Sequence, residues 1–419
     1  MPRPPKRSTT RKPSRAFKHQ LRVPPAPPID TPQCRHFGVC GGCSHLDVPI
    51  NEQLHDKVRN LEALLRPLLG EIRLQYTEPQ HTPVHFRTKL LYPVRQDHEG
   101  KATLGIYEPQ SHVLVRVREC RTQDESLTAL GVSAEHWLRA LGLMPWNETT
   151  GKGFIRAFHA RLCAGTGELL MGVVTRPGMF SQGKELAERL MTAAQSLPSA
   201  AERRITPVGV VRSISDRDGN FLLGDRNVPL IGRDYQEDRV DGLTFRLHFG
   251  SFYQIHRHSS TVLYKPALQM AGDVRGQRVV DGYGGVGTFG LRLAKAFAAR
   301  VEIIEDNSIA CVDALHNAKA NGLPQVTVIE AKFAQAEFAP EMDLLLVDPP
   351  RSGLQADGVL RVIAAKPKRL LCVHCSADSL ARDLEGLLAA GFKVAGMRLC
   401  DMFPHTDHVE VVTMLERRT

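Results

Sequence analysis

Two residues near the C-terminus could together carry covalent chemistry. Cys375 follows the apolar run 369–373 and precedes a helix predicted to start near Ser379, so its thiol can lie exposed at a sheet edge. There the helix start or His374 could lower the pKa of the thiol. Glu410, predicted on a terminal strand, offers a carboxylate that could accept a proton. Taken singly, the two residues have simpler explanations, as a buried packing cysteine and a surface charge.

A glycine-rich loop marks a second set of residues. The run from Asp281 to Thr288 (Asp-Gly-Tyr-Gly-Gly-Val-Gly-Thr) follows an apolar strand and opens a helix, so its backbone amides can approach a ligand at the helix N-terminus. A dinucleotide site would use such a loop too. Glu305 ends the next apolar run, where a carboxylate can accept hydrogen bonds from a ribose diol, and Asp348 ends a third. Three strand ends are therefore predicted to converge on one crevice.

The chain contains nine cysteines, which is an odd number for a disulfide framework. Three of them, Cys34, Cys40 and Cys43, are closely spaced in a segment that also contains Gly41 and Gly42. Because the count is odd and the chain otherwise looks cytosolic, metal binding or catalysis is a better expectation than disulfide formation.

Three segments with different patterns must position these residues. Over residues 51–68, apolar side chains recur at helical spacing and predict an amphipathic helix. From Phe86 to about Phe249, short alternating runs predict mainly antiparallel β structure, with helices near 134–142 and 182–196. Beyond residue 275, apolar strands alternate with helices, which predicts a doubly wound α/β sheet.

The basic charge of the chain is concentrated in its first 33 residues. These hold eight Lys and Arg against one acid, and so account for +7 of the formal charge of +9. Nine prolines in the same stretch predict a disordered tail that either touches RNA phosphates nonspecifically or serves only solubility. The sequence has no run of eighteen apolar residues and no signal-peptide pattern, so we expect a cytoplasmic protein without membrane spans.

Together these motifs resemble those of the RNA 5-methyluridine (uracil-C5) methyltransferase family, in particular its iron–sulfur branch that modifies 23S ribosomal RNA. The likeness runs from Cys34 to Arg417, and the motifs occur in the order typical of the family. They are Cys34-x5-Cys40-Gly-Gly-Cys43, Phe252-Tyr-Gln254, the Asp281 glycine loop, Asp348-Pro-Pro-Arg351, Cys375 followed by Leu380-Ala-Arg-Asp-Leu384, and Phe403-Pro-His-Thr406-x-His408-Val-Glu410.

The resemblance implies a Rossmann-like, S-adenosylmethionine-dependent methyltransferase domain with Cys375 as nucleophile and Glu410 as proton acceptor. C5 of uracil is too weak a nucleophile to attack a methyl sulfonium directly. The thiolate would therefore first add to C6, and the carboxylate would later remove the C5 proton. The residues that fall where the family contacts S-adenosylmethionine are Gln254, Tyr283, Thr288, Glu305 and Asp348.

The resemblance also implies a 4Fe–4S cluster, with the expected role of ordering the middle domain for RNA. Its implied ligands are Cys34, Cys40, Cys43 and Cys120, although on chemistry alone four cysteines could equally close a tetrahedral zinc site. The predicted domains are a disordered tail over 1–33, a mainly β, iron–sulfur and central RNA-binding domain over 34–45 and 79–240, and a methyltransferase domain over 46–78 and 241–419. Because only the tail precedes the first cysteine, we expect no N-terminal TRAM β-barrel.

Several positions depart from the family pattern. Ser376-Ala377 replaces the usual Asn-Pro after the nucleophile, His374 replaces a serine before it, and His256 replaces an asparagine. Gly284 stands where a second cysteine is common, and Lys332 where some relatives contact the cofactor with a side-chain amide. These changes leave open a shifted RNA preference.

The sequence thus predicts uracil-C5 methylation of RNA, with 23S ribosomal RNA as the expected partner and no obligate protein partner. Three alternatives stay open: uracil-C5 methylation of transfer RNA, cytosine-C5 methylation of RNA by the same cysteine addition, and a noncatalytic RNA-binding assembly factor on the same fold. Retention of both Cys375 and Glu410 argues against the last of these.

Overall fold

The computed structural model of the protein describes residues 31–79, 82–197, 205–217, 223–338 and 342–417. The tail predicted for residues 1–33 lies outside these ranges up to residue 30. The first element is helix α1 (Ile50–Leu69), which confirms the predicted amphipathic helix. Its buried face is formed by Leu54, Val58, Leu61 and Leu65, spaced three or four residues apart.

A seven-stranded sheet forms the middle of the chain. Its strands are β1 (Lys89–Gln96), β2 (Ala102–Tyr107), β3 (Leu114–Arg116), β4 (Ile155–Leu162), β5 (Glu168–Thr175), β6 (Thr206–Ile214) and β7 (Arg226–Gly232). They lie in the order β3-β2-β1-β4-β5-β6-β7. The prediction of mainly antiparallel structure is confirmed. Strands β5 and β6 are the one parallel pair, because a helix crosses over between them.

Two helices pack on this sheet, α2 (Glu125–Ala140) and α3 (Gly183–Gln195). Helix α3 agrees with the prediction, whereas α2 begins nine residues before the predicted start near residue 134. Asp124 explains the difference, since its side chain accepts a hydrogen bond from the Ser126 backbone N–H at 2.9 Å and so caps the helix.

A short hairpin and a helix that begins with a π-helical turn lead from the middle sheet to the second sheet. The hairpin consists of β8 (Tyr235–Val240) and β9 (Leu243–His248). A π-helical turn at Ser260–Tyr264 then runs into helix α4 (Lys265–Ala271). Such turns are rare in helices and occur often at functional sites.

The C-terminal part is a second seven-stranded sheet with helices on both faces. Its elements are β10 (Arg278–Gly282), α5 (Gly290–Phe297), β11 (Arg300–Glu305), α6 (Ser308–Ala320), β12 (Val326–Glu330), β13 (Leu344–Val347), α7 (Gln355–Ala365), β14 (Arg369–His374), α8 (Ala377–Ala389), β15 (Phe392–Leu399) and β16 (Val411–Arg417), with a 3₁₀ turn at Phe333–Gln335. The strand order is β12-β11-β10-β13-β14-β16-β15, and β16 runs antiparallel to both of its neighbours. The predicted doubly wound α/β sheet is confirmed.

The second sheet separates two apolar cores, because successive side chains of a strand point to opposite faces. On strand β10, Val279 faces one core and Val280 the other; on β13, Leu346 and Leu345 do the same. The leucines of α1 lie in the core that contains Val280, and α1 packs against α8. Within the part of the chain that the structure describes, no helix is both long and apolar enough to cross a membrane.

Candidate functional site

The register of the second sheet brings five acidic or nucleophilic residues to one edge. Asp281 lies at the carboxyl end of β10, Glu305 ends β11, and Asp348 and Cys375 directly follow β13 and β14. Because β16 is antiparallel, its first residues lie at the same edge, and Glu410 directly precedes it. The strand order reverses between β10 and β13, which is where open α/β sheets bind ligands.

The glycine loop packs tightly against the end of β10. One carboxylate oxygen of Asp281 accepts a hydrogen bond from the Gly290 backbone N–H at 2.7 Å, at the start of α5. A Cβ atom at Gly284 would lie 2.6 Å from Cγ2 of Ile303, so only glycine fits this position without a shift of its neighbour. Burial raises the pKa of Asp281 to about 7, with Asp348 and Glu305 adding to the effect.

Glu305 holds the same loop from the neighbouring strand. Its two carboxylate oxygens accept hydrogen bonds from the backbone N–H groups of Gly285 and Asn307, both at 2.9 Å. Burial raises the pKa of this carboxyl group. The loop and the carboxylate therefore form one rigid unit.

Tyr283 and Thr288 occupy the two ends of the loop. Tyr283 adopts a left-handed backbone conformation with φ of 61°, and its ring packs on Phe333 with centroids 5.1 Å apart. The side chain of Thr288 is hydrogen-bonded to the phenol of Tyr264, and its carbonyl oxygen accepts from the Arg292 guanidinium at 2.6 Å. Nothing in the sequence around Tyr264 or Arg292 marked them as part of the site.

Cys375 and Glu410 lie side by side at the sheet edge. The pairing of His374 with Val411 places each of them one step beyond the last residue pair of β14 and β16. Cys375 is half-buried, whereas only 2% of Glu410 is exposed. Prolines and glycines do not interrupt either strand here, so the ladder itself sets the position of both groups.

The electrostatics of the crevice differ from the expectation of a thiol with a lowered pKa. Burial raises the pKa of Cys375 to about 11, with the carboxyl groups of Glu410 and Asp348 adding and Arg351 opposing. The buried His374 is instead directed to Asp383, with Nε2 3.1 Å from Oδ2. Burial also raises the pKa of Asp348 to about 7 and that of Glu410 well above its usual range. The crevice therefore favours neutral acids when no cation is present.

The segment after β9 contributes Gln254. This residue is buried and lines a cavity of about 150 Å³ together with His256 and Arg257. Phe252 is 65% exposed, whereas the hydroxyl of Tyr253 donates to Asp238 at 3.2 Å. Of the two aromatic residues in this motif, Phe252 is the more exposed, since Tyr253 is partly buried.

The four cysteines of the implied cluster come from two distant segments and are all half-buried free thiols. The Gly42 N–H lies 3.3 Å from Sγ of Cys40, and the Gln123 N–H lies 3.4 Å from Sγ of Cys120. Burial raises the pKa of Cys43 to about 12, and the thiols of Cys120 and Cys40 add to the shift. Across residues 31–417, apart from the four internal gaps, no three His, Cys, Asp or Glu side chains converge closely enough to hold a single metal ion.

Comparison with known proteins identifies a matching family and relatives that are similar over most of the chain. Residues 230–418 match a family described as tRNA (uracil-5-)-methyltransferase. The chain is 29% identical over 398 residues to an uncharacterized RNA methyltransferase from Leptospira interrogans, covering 93% of this chain and all of that one. It is 30% identical over 397 residues to an uncharacterized RNA methyltransferase from Clostridium acetobutylicum, covering 92% of this chain and 83% of that one.

A solved structure has the same fold over most of the chain. It is that of the Pyrococcus abyssi tRNA (uracil-54, C5)-methyltransferase in complex with S-adenosyl-L-homocysteine, with a TM-score of 0.70 at 23% sequence identity. The match covers 90% of this chain and 86% of that protein. The likeness thus extends over both the middle sheet and the doubly wound sheet.

Proposed function

Since the chain belongs to the RNA uracil-5-methyltransferase family and is an RNA methyltransferase, we propose that it methylates C5 of a uracil in RNA through a covalent adduct of Cys375. The observation that carries this proposal is the adjacency of a thiol and a buried carboxyl group, Glu410, across strands β14 and β16. A nucleophile and a proton acceptor at one point are what the reaction requires.

The steps assign one role to each residue. The Cys375 thiolate adds to C6 of the uracil, and the electron pair of the C5–C6 double bond makes C5 nucleophilic. C5 would then take the methyl group of S-adenosylmethionine, as the C5–CH3 bond forms and the S–CH3 bond breaks to leave S-adenosylhomocysteine, a neutral thioether. The Glu410 carboxylate then takes the C5 proton, the double bond re-forms, and the C6–S bond breaks to release the thiolate. Uracil is converted to 5-methyluracil with the loss of one proton.

The positive charge of the cofactor would shift the titratable groups of the crevice toward their charged forms. In the free enzyme, burial raises the pKa of the Cys375 thiol and that of the Glu410 carboxyl group, and so favours the neutral form of each. A positive sulfonium among them favours the thiolate and the carboxylate and so lowers both pKa values. Binding of the methyl donor would thus favour the reactive form of both the nucleophile and the base.

The proposed contacts with S-adenosylmethionine follow from the same edge of the sheet. We propose that Glu305, at the end of β11, accepts hydrogen bonds from a ribose diol and that the ligand approaches the glycine loop at Gly285, where a Cβ atom would meet open space. The complete proposed set is Gln254, Tyr283, Thr288, Glu305 and Asp348.

We also propose that Cys34, Cys40, Cys43 and Cys120 hold a 4Fe–4S cluster. Two observations support this proposal. Four free thiols come together from two segments, and backbone N–H groups are directed at two of the sulfur atoms. Hydrogen bonds to the sulfur ligands tune the reduction potential of such clusters. A cubane cluster is larger than one ion, so its ligands stand further apart than those of a mononuclear site. This accounts for the lack of a compact single-ion site within the described residues.

The proposed substrate is 23S ribosomal RNA, bound by the middle domain and the face that carries the crevice. The proposed domains retain the boundaries expected from sequence, with the cluster and the middle sheet in one and α1 with the second sheet in the other. Transfer RNA is the second candidate, because the matching family and the solved structure of the same fold are both described as transfer RNA enzymes.

Methyl transfer from labelled S-adenosylmethionine to transcribed 23S ribosomal RNA and to transfer RNA, followed by nucleoside mass spectrometry, tests the proposal. We expect 5-methyluridine in the ribosomal RNA, its loss with Cys375→Ala, and its retention with Cys163→Ala, a free cysteine outside the crevice. Product in transfer RNA alone would identify transfer RNA as the substrate, and 5-methylcytidine would identify cytosine-C5 methylation as the reaction. Binding of cofactor and RNA without any methylated pyrimidine would overturn the proposal.

A further inference from the structure

The loop that ends in Glu410 connects β15 to β16. Its base is closed by the Cys400 backbone N–H, which donates to the carbonyl oxygen of Glu410 at 2.8 Å, and the Met402 N–H donates to the carbonyl oxygen of Cys400 at the same distance. Residues 401–410 belong to no strand or helix, so this loop needs another anchor if Glu410 is to have one position.

His405 is that anchor. It is fully buried, has a left-handed φ of 66°, and every one of its polar atoms has a partner. Its N–H donates to Oε1 of Gln53 at 2.8 Å, and its carbonyl oxygen accepts from the N–H groups of Ser44 at 2.8 Å and His45 at 3.2 Å. Its ring Nε2 lies 2.8 Å from the carbonyl oxygen of Pro83. Strained backbone persists only where the surroundings determine it fully.

The ring of His405 is neutral in this setting. Burial lowers its pKa, with the Pro83 carbonyl opposing the shift. A proton on Nε2 then donates to Pro83, while Nδ1 lies 3.1 Å from the side-chain amide nitrogen of Gln53. The two protons of that nitrogen are shared between Nδ1 and two closer backbone carbonyl oxygens.

Gln53 joins this anchor to the cysteine segment. It is buried on α1, and its amide nitrogen lies 2.7 Å from the carbonyl oxygens of both His45 and Val48. The ring of His45 also lies 2.5 Å from a carboxylate oxygen of Asp407. The Cys34–His45 segment and the loop that ends in Glu410 are thus bonded to each other directly and through one glutamine.

A second tether runs from the same helix. The Lys57 ammonium, which is buried, donates to the Asp401 carboxylate at 2.8 Å and to the carbonyl oxygen of Phe403 at 3.0 Å. These two contacts hold the first half of the loop, whereas Gln53 holds its tip at His405. The contacts with the Cys34–His45 segment come from the tip.

We propose that Gln53 and His405 form a latch through which the Cys34–His45 segment positions Glu410. The inference rests on the proposed function, since it takes Glu410 as the group that accepts the C5 proton. The latch residues are positioning residues, because both are buried and act on Glu410 through the loop. Opening the latch slows the removal of the C5 proton by Glu410, and with it the re-formation of the C5–C6 double bond and the release of the Cys375 thiolate. The addition to C6 and the methyl transfer before it stay intact.

The first test compares two RNA probes with the full-length, cluster-loaded Gln53→Met variant. With the uridine transcript that the wild type methylates, we expect product formation to slow by roughly tenfold to a hundredfold, and a covalent protein–RNA adduct to accumulate on denaturing gels. With the same transcript containing 5-fluorouridine, no C5 proton exists, so the adduct is expected to form at the wild-type rate. Equal slowing with both probes, or no change with either, would overturn the latch.

Controls separate positioning from general destabilisation. His159→Ala removes another fully buried histidine, from the middle sheet, and is expected to cause no adduct accumulation. If Gln53→Met does not fold, Gln53→Glu replaces it, since this variant keeps the shape and the acceptor for the His405 N–H but loses the donors to His45 and Val48. The same accumulation in His159→Ala as in the Gln53 variant would contradict the proposal.

Hydrogen exchange tests the coupling without reference to activity. Amide exchange over residues 400–410 is expected to speed up in both Gln53→Met and Cys43→Ser, and to stay unchanged in His159→Ala. Unchanged exchange of this loop in Cys43→Ser would show that the cysteine segment does not position it. If the wild type yields no 5-methyluridine, the proposed function fails, while the exchange result still decides whether the latch joins the two segments.

Discussion

Asp281 gives the protein a stability that falls as pH rises. Its side chain is fully buried, and burial raises its pKa in the folded protein to about 7, against about 3.9 in an unfolded chain. At a pH between these two pKa values, Asp281 is deprotonated in the unfolded chain but protonated in the folded protein. The free energy of unfolding therefore decreases from pH 4 to pH 7 and levels off above that. Asp281→Asn removes this contribution while an amide oxygen can still accept from the Gly290 N–H.

The size of the effect follows from the two pKa values. A difference of about three pKa units at about 1.36 kcal/mol each corresponds to at most about 4 kcal/mol. From pH 5 to pH 8, the span of the measurement, the group loses about two-thirds of that amount. Without cofactor, we therefore expect the free energy of unfolding of Asp281→Asn to rise by about 2 to 3 kcal/mol relative to that of the wild type between pH 5 and pH 8.

The assay must report on the second sheet. Both tryptophans, Trp137 and Trp146, lie in the middle part of the chain, so their fluorescence would miss it. Denaturant unfolding should instead be followed by hydrogen exchange in peptides from β10 and β13. Asp343→Asn is the control, because the hydrogen bond from Lys368 lowers the pKa of Asp343 and its contribution is lost only at acid pH. If wild type and Asp281→Asn lose stability in parallel from pH 5 to 8, the reasoning is refuted.

Three further predictions concern the same edge of the sheet. Gly284→Ala should lower the free energy of unfolding by about 1–3 kcal/mol, because the new Cβ would meet Ile303. Adding Ile303→Leu, which lacks the branch at Cβ, should recover part of this loss in chemical unfolding. If the effects of the two substitutions simply add, the clash is contradicted. His374→Ser should cost about 1–3 kcal/mol of unfolding free energy, because the buried Asp383 loses a hydrogen bond, and unchanged stability would show that this bond is dispensable. Binding of S-adenosylmethionine at pH 7 should release protons, since a cation lowers the raised pKa of Asp348, and calorimetric enthalpies that do not depend on the buffer would rule this out.

Much of the fold was predictable because its signals are local. The spacing of apolar residues in α1 and the apolar runs that became β10, β11, β13 and β14 identified the helix and the parallel sheet. The start of α2 was missed, since the cap formed by Asp124 precedes the segment whose periodicity was read as helical. The parallel pairing of β5 and β6 was also missed, because it depends on where α3 returns the chain.

The site was predictable only in part. The residue types at the strand ends indicated a crevice, and the sheet does bring Cys375 and Glu410 together. The direction of the thiol pKa was predicted wrongly, because burial and the neighbouring carboxyl groups outweigh His374, which is directed to Asp383. Tyr264 and Arg292, which hold Thr288, carried no signal in the sequence.

By itself, the sequence determined which residues could do chemistry and which segments would be helices or strands, since both depend on residue type and on spacing within a few positions. Only the tertiary structure decided the direction of the pKa shifts in the crevice and the contact between Gln53 and His405, whose side chains meet although they are 352 residues apart in the chain. A pKa depends on burial and on every nearby charge, and a long-range hydrogen bond depends on how whole elements pack. Neither quantity is a property of a local pattern.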